Sequence, residues 1–192
     1  MAVSRRKETK NMSNILHKVP ENRINPEDFL AYIEIPAHSK NKYEYDEECH
    51  ALVLDRILFT ATHYPHNYGF IPKTWGLDDD PLDVMVVTSE PVLPASLIRC
   101  APIGVLEMKD GGKSDEKIIA VCLNDPIYSG YEDIHQLPKH LFEEIRHFFT
   151  VYKQLEYGKF TEIEGFSGRE EAIKTIKRAK ERYHEQFPSG EE

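Results

Sequence analysis

The sequence has few cysteines, no long apolar run and a shortage of positive charge. Cys49, Cys100 and Cys122 are its three cysteines. Their odd number, wide spacing and lack of a CxxC pair argue against a disulfide framework and a thiolate zinc site. The longest apolar run, residues 118–123, is far shorter than the ~20 residues of a transmembrane helix. We therefore expect a soluble cytoplasmic protein.

The charge balance is acidic. Against 24 Lys and Arg stand 33 Asp and Glu, which gives a formal net charge of −9 with neutral histidines. A protein that binds nucleic acid through its phosphates should be basic, and anionic membranes repel an acidic surface. The composition therefore predicts neither a nucleic acid nor a membrane partner. Clustered carboxylates suit hard metal cations instead.

The length of 192 residues favours one domain. We assign it to residues 15–187, with a flexible N-terminal arm at residues 1–14 and a frayed tail at residues 188–192. Apolar and β-branched runs predict strands at residues 29–35, 52–58, 84–87, 103–108 and 118–123. A turn-rich segment at residues 109–114 predicts a hairpin connection between the last two strands.

Helical spacing begins near residue 138. Pro138 suits the start of a helix whose apolar face continues to Leu155, with Gly158 as its stop. This places Lys153 in the last part of that helix. A second helix is predicted from about Arg169 to Gln186. Strands followed by helices indicate an α+β fold, mainly β, in which helices cover a small twisted sheet or barrel.

The most informative segment contains four carboxylates within six residues, immediately before an apolar strand. They are Asp78, Asp79, Asp80 and Asp83. Crowded carboxylates repel one another, so a cation would stabilise them. In extended chain Asp78 and Asp80 point to one side, and Asp83 at the mouth of the strand can converge with them. The segment predicts a Mg²⁺ site, because Mg²⁺ prefers oxygen ligands on rigid backbone. The alternative is a solvated acidic turn.

Other interpretations of this region fit less well. An EF-hand loop needs Gly at its sixth position, where this chain has Asp83. An aspartyl-phosphate enzyme needs D-x-D just after a strand, whereas here the strand follows the acids. His63 and His66 have neither nearby thiolates nor the helical spacing of a zinc site.

Two further segments carry polar groups. Around Asn67-Tyr68-Gly69 we predict a turn whose tyrosines present hydroxyls to an anion, with aromatic core packing as the alternative. The hairpin from Asp110 to Lys117 offers two acids and a lysine, with a solvated charged turn as the alternative.

Together these segments resemble the family I soluble inorganic pyrophosphatases. Residues 78–84 match the D-x-D-P-x-D-V signature, and the resemblance runs from about Val19 to Arg178. Further matching segments are residues 33–36, 42–44, 55–56, 64–69, 98–106, 110–117 and 147–153. The resemblance implies a five-stranded OB-like closed barrel with flanking C-terminal helices. The length matches the compact bacterial type of this family, and that resemblance implies a homohexamer.

The resemblance also implies a reaction: hydrolysis of pyrophosphate to two orthophosphates by a metal-activated hydroxide attacking in line, without a phosphoenzyme. Asp80 would be the general base. Several Mg²⁺ ions, or Mn²⁺ and other divalent ions, would be held by five acids: Asp78, Asp83, Asp110, Asp115 and Glu34. The phosphates would be bound by Lys42, Arg56, Tyr68, Lys117, Tyr152 and Lys153, with Glu44 and Tyr64 lining the site. Gly111 departs from the pattern, since the family often has a second acid after Asp110.

Two other functions remain open from sequence. A different two-metal phosphohydrolase, such as a nucleotide pyrophosphatase, would be expected to show a Gly-rich phosphate loop or a base-binding segment, and neither is evident. An OB-like module for single-stranded nucleic acid or another partner would use a basic stacking surface, against which the net charge of −9 argues.

Overall fold

The computed structural model describes residues 14–188, so the predicted arm and tail lie almost wholly outside the described residues. The strands are β1 (Ile24–Asn25), β2 (Asp28–Ile35), β3 (Asn41–Asp46), β4 (Ala51–Ile57), β5 (Asn67–Phe70), β6 (Asp83–Val87), β7 (Leu97–Asp110), β8 (Lys113–Cys122) and β9 (Thr161–Gly168). The helices are α1 (Ile15–Lys18), α2 (Lys139–Val151) and α3 (Arg169–Gln186). Across residues 14–188, the helices are all too short or too polar to cross a membrane.

Five strands close into a barrel. β2 pairs with β5 on one side and with β7 on the other, which completes the ring β2-β5-β6-β8-β7. Only the β6–β8 contact within this ring is parallel. β1 and β9 add to the outside of the ring, and β3 and β4 form a separate hairpin. Closure leaves no free edge in the ring. The predicted mainly-β barrel with C-terminal helices is confirmed.

Two apolar clusters form most of the core, on opposite faces of the barrel strands. Val84 and Ile118 belong to the cluster that includes residues of α3. Met85 and Ile119 belong to the cluster that includes residues of α2. Because successive side chains in a strand point to opposite faces, the odd-numbered positions of β6 and β8 all face the α2 side. This alternation decides where the polar residues at the starts of β6 and β8 emerge.

All five predicted strands are present, and residues 109–114 do connect β7 to β8 as a hairpin. The predicted turn at Asn67-Tyr68-Gly69 is wrong, because these residues form β5 of the barrel. Gly69 is needed for close packing of strands: an added Cβ would lie 1.9 Å from the carbonyl oxygen of Tyr32 on β2. The glycine therefore reflects a close backbone approach within the sheet.

The helical prediction also needs correction. α3 has the predicted bounds, but α2 ends at Val151. Leu155, predicted to continue its apolar face, lies beyond the helix and is exposed. The order of strands followed by helices is broken by β9, which lies between α2 and α3 and pairs with β7. The side chains of β9 are exposed or only partly buried, so its sequence carries a weak apolar pattern.

His66, just before β5, predicts a pH-dependent stability. Burial lowers its pKa to about 4, with a smaller contribution from His38. The unfolded imidazole titrates near pH 6.5. The unfolded chain therefore binds more protons between these pH values, and stability falls as pH drops through this window, by about 3 kcal/mol in total.

The variant His66→Gln should lack this contribution. Between pH 7 and pH 5, denaturant unfolding should show a loss about 2 kcal/mol larger for the natural chain than for the variant. Equal losses in the two proteins would show that His66 does not titrate with a lowered pKa.

Candidate active site

One cavity of about 280 Å³ gathers the predicted site. It opens where β6 and β8 begin, between the β3–β4 hairpin and the end of α2. Arg56 alone among the predicted residues is not part of its lining. The predicted residues that do line it are Glu34, Lys42, Glu44, Tyr64, Tyr68, Asp78, Asp80, Asp83, Asp110, Asp115, Lys117, Tyr152 and Lys153.

A buried lysine between two carboxylates is part of the lining of this cavity. The parallel register places Asp83 of β6 opposite Lys117 of β8, and Asp115 is two residues earlier on the same face. Lys117 Nζ lies 2.5 Å from Asp83 Oδ2 and 2.6 Å from Asp115 Oδ1. Only 3% of Lys117 and 7% of Asp115 are exposed to solvent. Buried charges of this kind require close partners of opposite sign.

Burial and charge act against each other in this group. Burial raises the pKa of Asp115 to about 6, although the Lys117 ammonium lowers it. Burial lowers the pKa of Lys117, but Asp83 and Asp115 more than compensate, and its pKa lies well above the usual range. Lys117 is therefore a permanent cation in the cavity.

The loop before β6 brings two more acids to the same cavity. Asp79 adopts a left-handed backbone conformation with φ of 75°, so the loop is bent and the predicted extended conformation is wrong. Asp78 and Asp80 nevertheless both line the cavity. Burial, followed by the charge of Asp83, raises the pKa of both carboxyl groups. The Asp79 side chain is 82% exposed and pairs only with Lys113, at 3.5 Å, among the described contacts.

Glu34 enters the cavity from β2 at an irregularity in the β2–β5 pairing between Ile33 and Ile35. Such bulges redirect a side chain out of the regular alternation. Its Oε1 accepts a hydrogen bond of 2.7 Å from the backbone N–H of Tyr45 in β3. Burial still raises the pKa of Glu34 to about 8. A proton or another cation would therefore neutralise this group near neutral pH.

Two further lysines lie at the rim, each paired with acids. Lys42 Nζ contacts Glu44 and lies 3.3 Å from Asp55 Oδ2. Lys153 Nζ contacts Asp110 across 43 residues of sequence. Lys153 follows the end of α2 at Val151, so its predicted place within the helix is wrong. A turn after the helix, and not the helix itself, directs this lysine into the cavity.

The predicted tyrosines serve both the core and the cavity. Tyr64, Tyr68 and Tyr152 belong to the apolar cluster that includes α2, and they also line the cavity. The rings of Tyr64 and Tyr68 lie 5.3 Å apart. Burial raises the pKa of all three phenols, so they are neutral hydrogen-bond donors. For the segment around Asn67-Tyr68-Gly69, core packing of the tyrosines and presentation of their hydroxyls to an anion are therefore compatible.

Arg56 is outside the cavity lining and is held by an acid that sequence reasoning missed. Its Nε donates a hydrogen bond of 2.9 Å to Glu156 Oε1. Glu156 is buried and also pairs with Lys159 at 2.8 Å. Arg56 Nη2 is buried, without a hydrogen-bond partner in the described part of the chain. One hundred residues separate Arg56 from Glu156, so no local pattern could have indicated the pair. The sequence analysis also gave no role to four further lining residues, of which two lie in the segments that match the family: Tyr43, Tyr45, Glu47 and Phe149.

The carboxylate oxygens of the cavity are suitable ligands for a hard divalent cation. In the structure, however, several of these carboxylates are paired with lysines. Within residues 14–188, no three His, Cys, Asp or Glu side chains are arranged to hold a metal ion as they stand. Lys117 Nζ contacts one carboxylate oxygen each of Asp83 on β6 and Asp115 on β8. Carboxylate oxygens are nevertheless the ligands that Mg²⁺ prefers, and a cation would relieve the repulsion that, after burial, helps to raise the pKa of Asp78 and Asp80. Gly111 has φ of 56° in the β7–β8 turn, so the position that departs from the family pattern is suited to glycine.

Comparison with known proteins gives a consistent result. Residues 31–184 match the inorganic pyrophosphatase family. The inorganic pyrophosphatase of Aquifex pyrophilus is 47% identical over 167 residues, which cover 86% of this chain and 94% of that protein. The inorganic pyrophosphatase of Nanoarchaeum equitans is 51% identical over 158 residues, 81% of this chain and 98% of that protein.

The fold comparison agrees with the sequence comparison. The crystal structure of inorganic pyrophosphatase from Thermus thermophilus superimposes with a TM-score of 0.85 at 38% identity, covering 88% of this chain and 98% of that one. The inorganic pyrophosphatase from Helicobacter pylori gives a TM-score of 0.82 at 40% identity, covering 84% and 96%. The chain therefore belongs to the inorganic pyrophosphatase family, which confirms the family I resemblance carried by its motifs.

Proposed function

We propose that the chain hydrolyses inorganic pyrophosphate to two orthophosphates and requires Mg²⁺, for which Mn²⁺ or another divalent ion can substitute. The observation that carries this proposal is the convergence of carboxylates, lysines and neutral tyrosines in one cavity. Acids alone would repel a dense polyanion, whereas acids that hold cations beside lysines attract one. Membership of the inorganic pyrophosphatase family supports the same substrate.

Five acids are assigned to metal binding. Mg²⁺ would supply electrophilic charge on the phosphoryl oxygens and lower the pKa of coordinated water. Asp78, Asp83 and Asp115 form the inner set, because they meet at the starts of β6 and β8. Asp110 lies at the β7–β8 turn and Glu34 at the β2 bulge, and both line the same cavity, so they complete the proposed set.

Asp80 is assigned to proton transfer. Its carboxylate lines the cavity beside Asp78 and Asp83, and its raised pKa improves it as a proton acceptor. In this role it accepts a proton from the water that attacks phosphorus in line with the leaving phosphate. No phosphorylated side chain is formed, so rapid acid quenching during turnover should trap no phosphoprotein.

The remaining polar residues are assigned to the phosphates. Lys42, Lys117 and Lys153 act as point charges. Lys42 is paired with Glu44 at the rim, whereas Lys117 and Lys153 are paired with Asp115 and Asp110, acids that a metal can compete for. Divalent cations on those acids would leave the ammonium groups available to the anion. Tyr68 and Tyr152 donate neutral hydrogen bonds. Arg56 is assigned to the phosphates from the family resemblance, and its Nη2 is a donor without a hydrogen-bond partner among residues 14–188.

A phosphate-release assay tests the proposal. We expect release from pyrophosphate with Mg²⁺, loss of release on chelation, recovery with added Mg²⁺, and little release from ATP. Efficient release from ATP would favour a nucleotide pyrophosphatase. No release from either substrate with Mg²⁺ would remove the enzymatic proposal and favour an OB-like binding module.

Glu156 should orient Arg56 for substrate. The variant Glu156→Gln keeps the shape but weakens the pairing with Arg56 Nε, so we expect KM for pyrophosphate to rise about 10-fold with a smaller change in kcat. Lys159→Gln is the matched control, because it removes the other partner of Glu156 and leaves Arg56 paired. A fall in kcat without a change in KM, or equal effects of both variants, would contradict this role.

We also propose a cytoplasmic homohexamer. The acidic composition and the lack of a long apolar run support the location. The hexamer is the assembly that the resemblance to the compact bacterial members of the family implies, and the matched region covers 94% and 98% of two relatives. Sedimentation should give a particle six times the 22.3 kDa of one chain. A monomer or dimer at micromolar concentration would refute the hexamer without affecting the proposed reaction.

A further inference from the structure

Two cysteines lie directly opposite each other on neighbouring strands, away from the candidate active site. Cys100 of β7 pairs in register with Cys122 at the end of β8. Directly opposed residues of an antiparallel pair have their side chains on the same face of the sheet. Neither thiol is in a disulfide.

The hydrogen-bond phase of the ladder identifies the type of pair. Leu123 N–H donates to Arg99 O at 2.9 Å, which makes residues 99 and 123 a hydrogen-bonded pair. Pairs alternate, so Cys100 and Cys122 form a non-hydrogen-bonded pair. Pro102, which has no N–H to donate, falls opposite Ala120 in the same phase. Cα atoms in such pairs lie about 4.5 Å apart, within the range that a disulfide spans.

The two thiols differ in accessibility. Cys100 is fully buried, and it also faces Phe29 of β2 on its other side. Cys122 is partly exposed and packs against the rim of the same apolar cluster. Burial raises the pKa of the Cys100 thiol well above its usual range. Cys122 is therefore the residue that a solute reaches first, and Cys100 is placed to resolve the product.

We propose that Cys100 and Cys122 form a reversible intrachain disulfide when the protein meets a peroxide. The Cys122 thiolate attacks one oxygen of hydrogen peroxide and the O–O bond breaks. Hydroxide departs, and Cys122 becomes a sulfenic acid. The Cys100 sulfur then attacks the Cys122 sulfur. The S–O bond breaks, and water leaves with the thiol proton. Two thiols lose two electrons and two protons, and one peroxide becomes two waters. A dithiol reductant reverses the bond.

The experiment uses the full chain with Cys49→Ser, because exposed Cys49 would otherwise add its own oxidation. After treatment with hydrogen peroxide, intact mass should fall by about 2 Da and both free thiols should disappear. Non-reducing trypsin digestion should link residues 100–109 to residues 118–139 within one chain. Dithiothreitol should restore the mass, and the oxidised form should melt about 5 °C or more above the reduced form.

The matched control adds Cys122→Ser. It should keep its remaining thiol through the same treatment and show no change in melting temperature, because only Cys122 is accessible. Oxidation of Cys122 that stops at the sulfinic or sulfonic acid would overturn the proposal. So would a disulfide between chains, or survival of both thiols. None of these outcomes depends on pyrophosphatase activity, so failure here leaves the proposed function unaffected.

Discussion

Replacing Asp83 by Asn should reduce kcat/KM for pyrophosphate by at least about 10³-fold while the protein still folds. The amide has nearly the same shape as the carboxylate but carries no charge for a divalent cation. Asp83 is central because it lies opposite Lys117 in the β6–β8 register and because, after burial, its charge is the next cause of the raised pKa of both Asp78 and Asp80. Phosphate release at saturating Mg²⁺ measures the loss, and circular dichroism with a melting curve checks the fold.

Asp79→Asn is the matched control, because it makes the same chemical change within the same acid cluster. Asp79 is outside the cavity lining, and its side chain is 82% exposed. Its activity should stay within about twofold of the natural chain, as is usual for a surface substitution. Full activity of the Asp83 variant, or equal losses in both variants, would show that the metal assignment is wrong.

Replacing Lys117 by Gln should lower kcat/KM by about 10²–10³-fold, because it removes a buried positive charge that faces the substrate cavity. It should also lower the stability of the metal-free protein by about 3 kcal/mol, since Asp83 and Asp115 lose the ammonium between them. Added Mg²⁺ can compensate for that second effect but not for the first. The melting temperature of the variant should therefore rise more with Mg²⁺ than that of the natural chain.

Lys113→Gln is the control for this variant. Lys113 is on the same strand, its side chain is 65% exposed, and its only described partner is Asp79. We expect unchanged activity and an unchanged response of the melting temperature to Mg²⁺. A Lys117 variant that loses activity without any added response to Mg²⁺ would indicate that the acids are not the cation site.

The parts of the site that could be predicted were those indicated by short motifs of neighbouring residues. The spacing of the acids before β6 indicated Asp83, whereas Asp115 and Lys117 were assigned from the family resemblance, and all three line one cavity. Their common side follows from the period of two along β6 and β8, which could be applied only once the register of these strands was known. The strand prediction worked where runs were strongly apolar. β5 was missed because its glycine, which reflects close packing against β2, has the same local appearance as a turn glycine.

The parts that could not be predicted depend on contacts distant in sequence. Arg56 was assigned to the phosphates from resemblance, but its partner Glu156 lies beyond α2, and only the tertiary fold brings them together. The lysines raised a similar problem. A sequence shows that Lys117 is near acids in the chain, but not that it lies between two of them on separate strands. Lys153 was misplaced because helix ends are weakly specified by apolar spacing alone.

The parallel pairing of β6 and β8 has a consequence for the folding of the enzyme. Asp83 and Lys117 are opposed only in one register, and a slip by one residue would turn Lys117 to the α3 side of the sheet. Parallel contacts between strands distant in sequence form slowly, because the entropy of loop closure must be overcome before the contacts reward it. A collapsed chain with most of its strands could therefore be inactive. During refolding, the recovery of activity would therefore report when the ring closes. Spectroscopic signals of secondary structure would recover earlier.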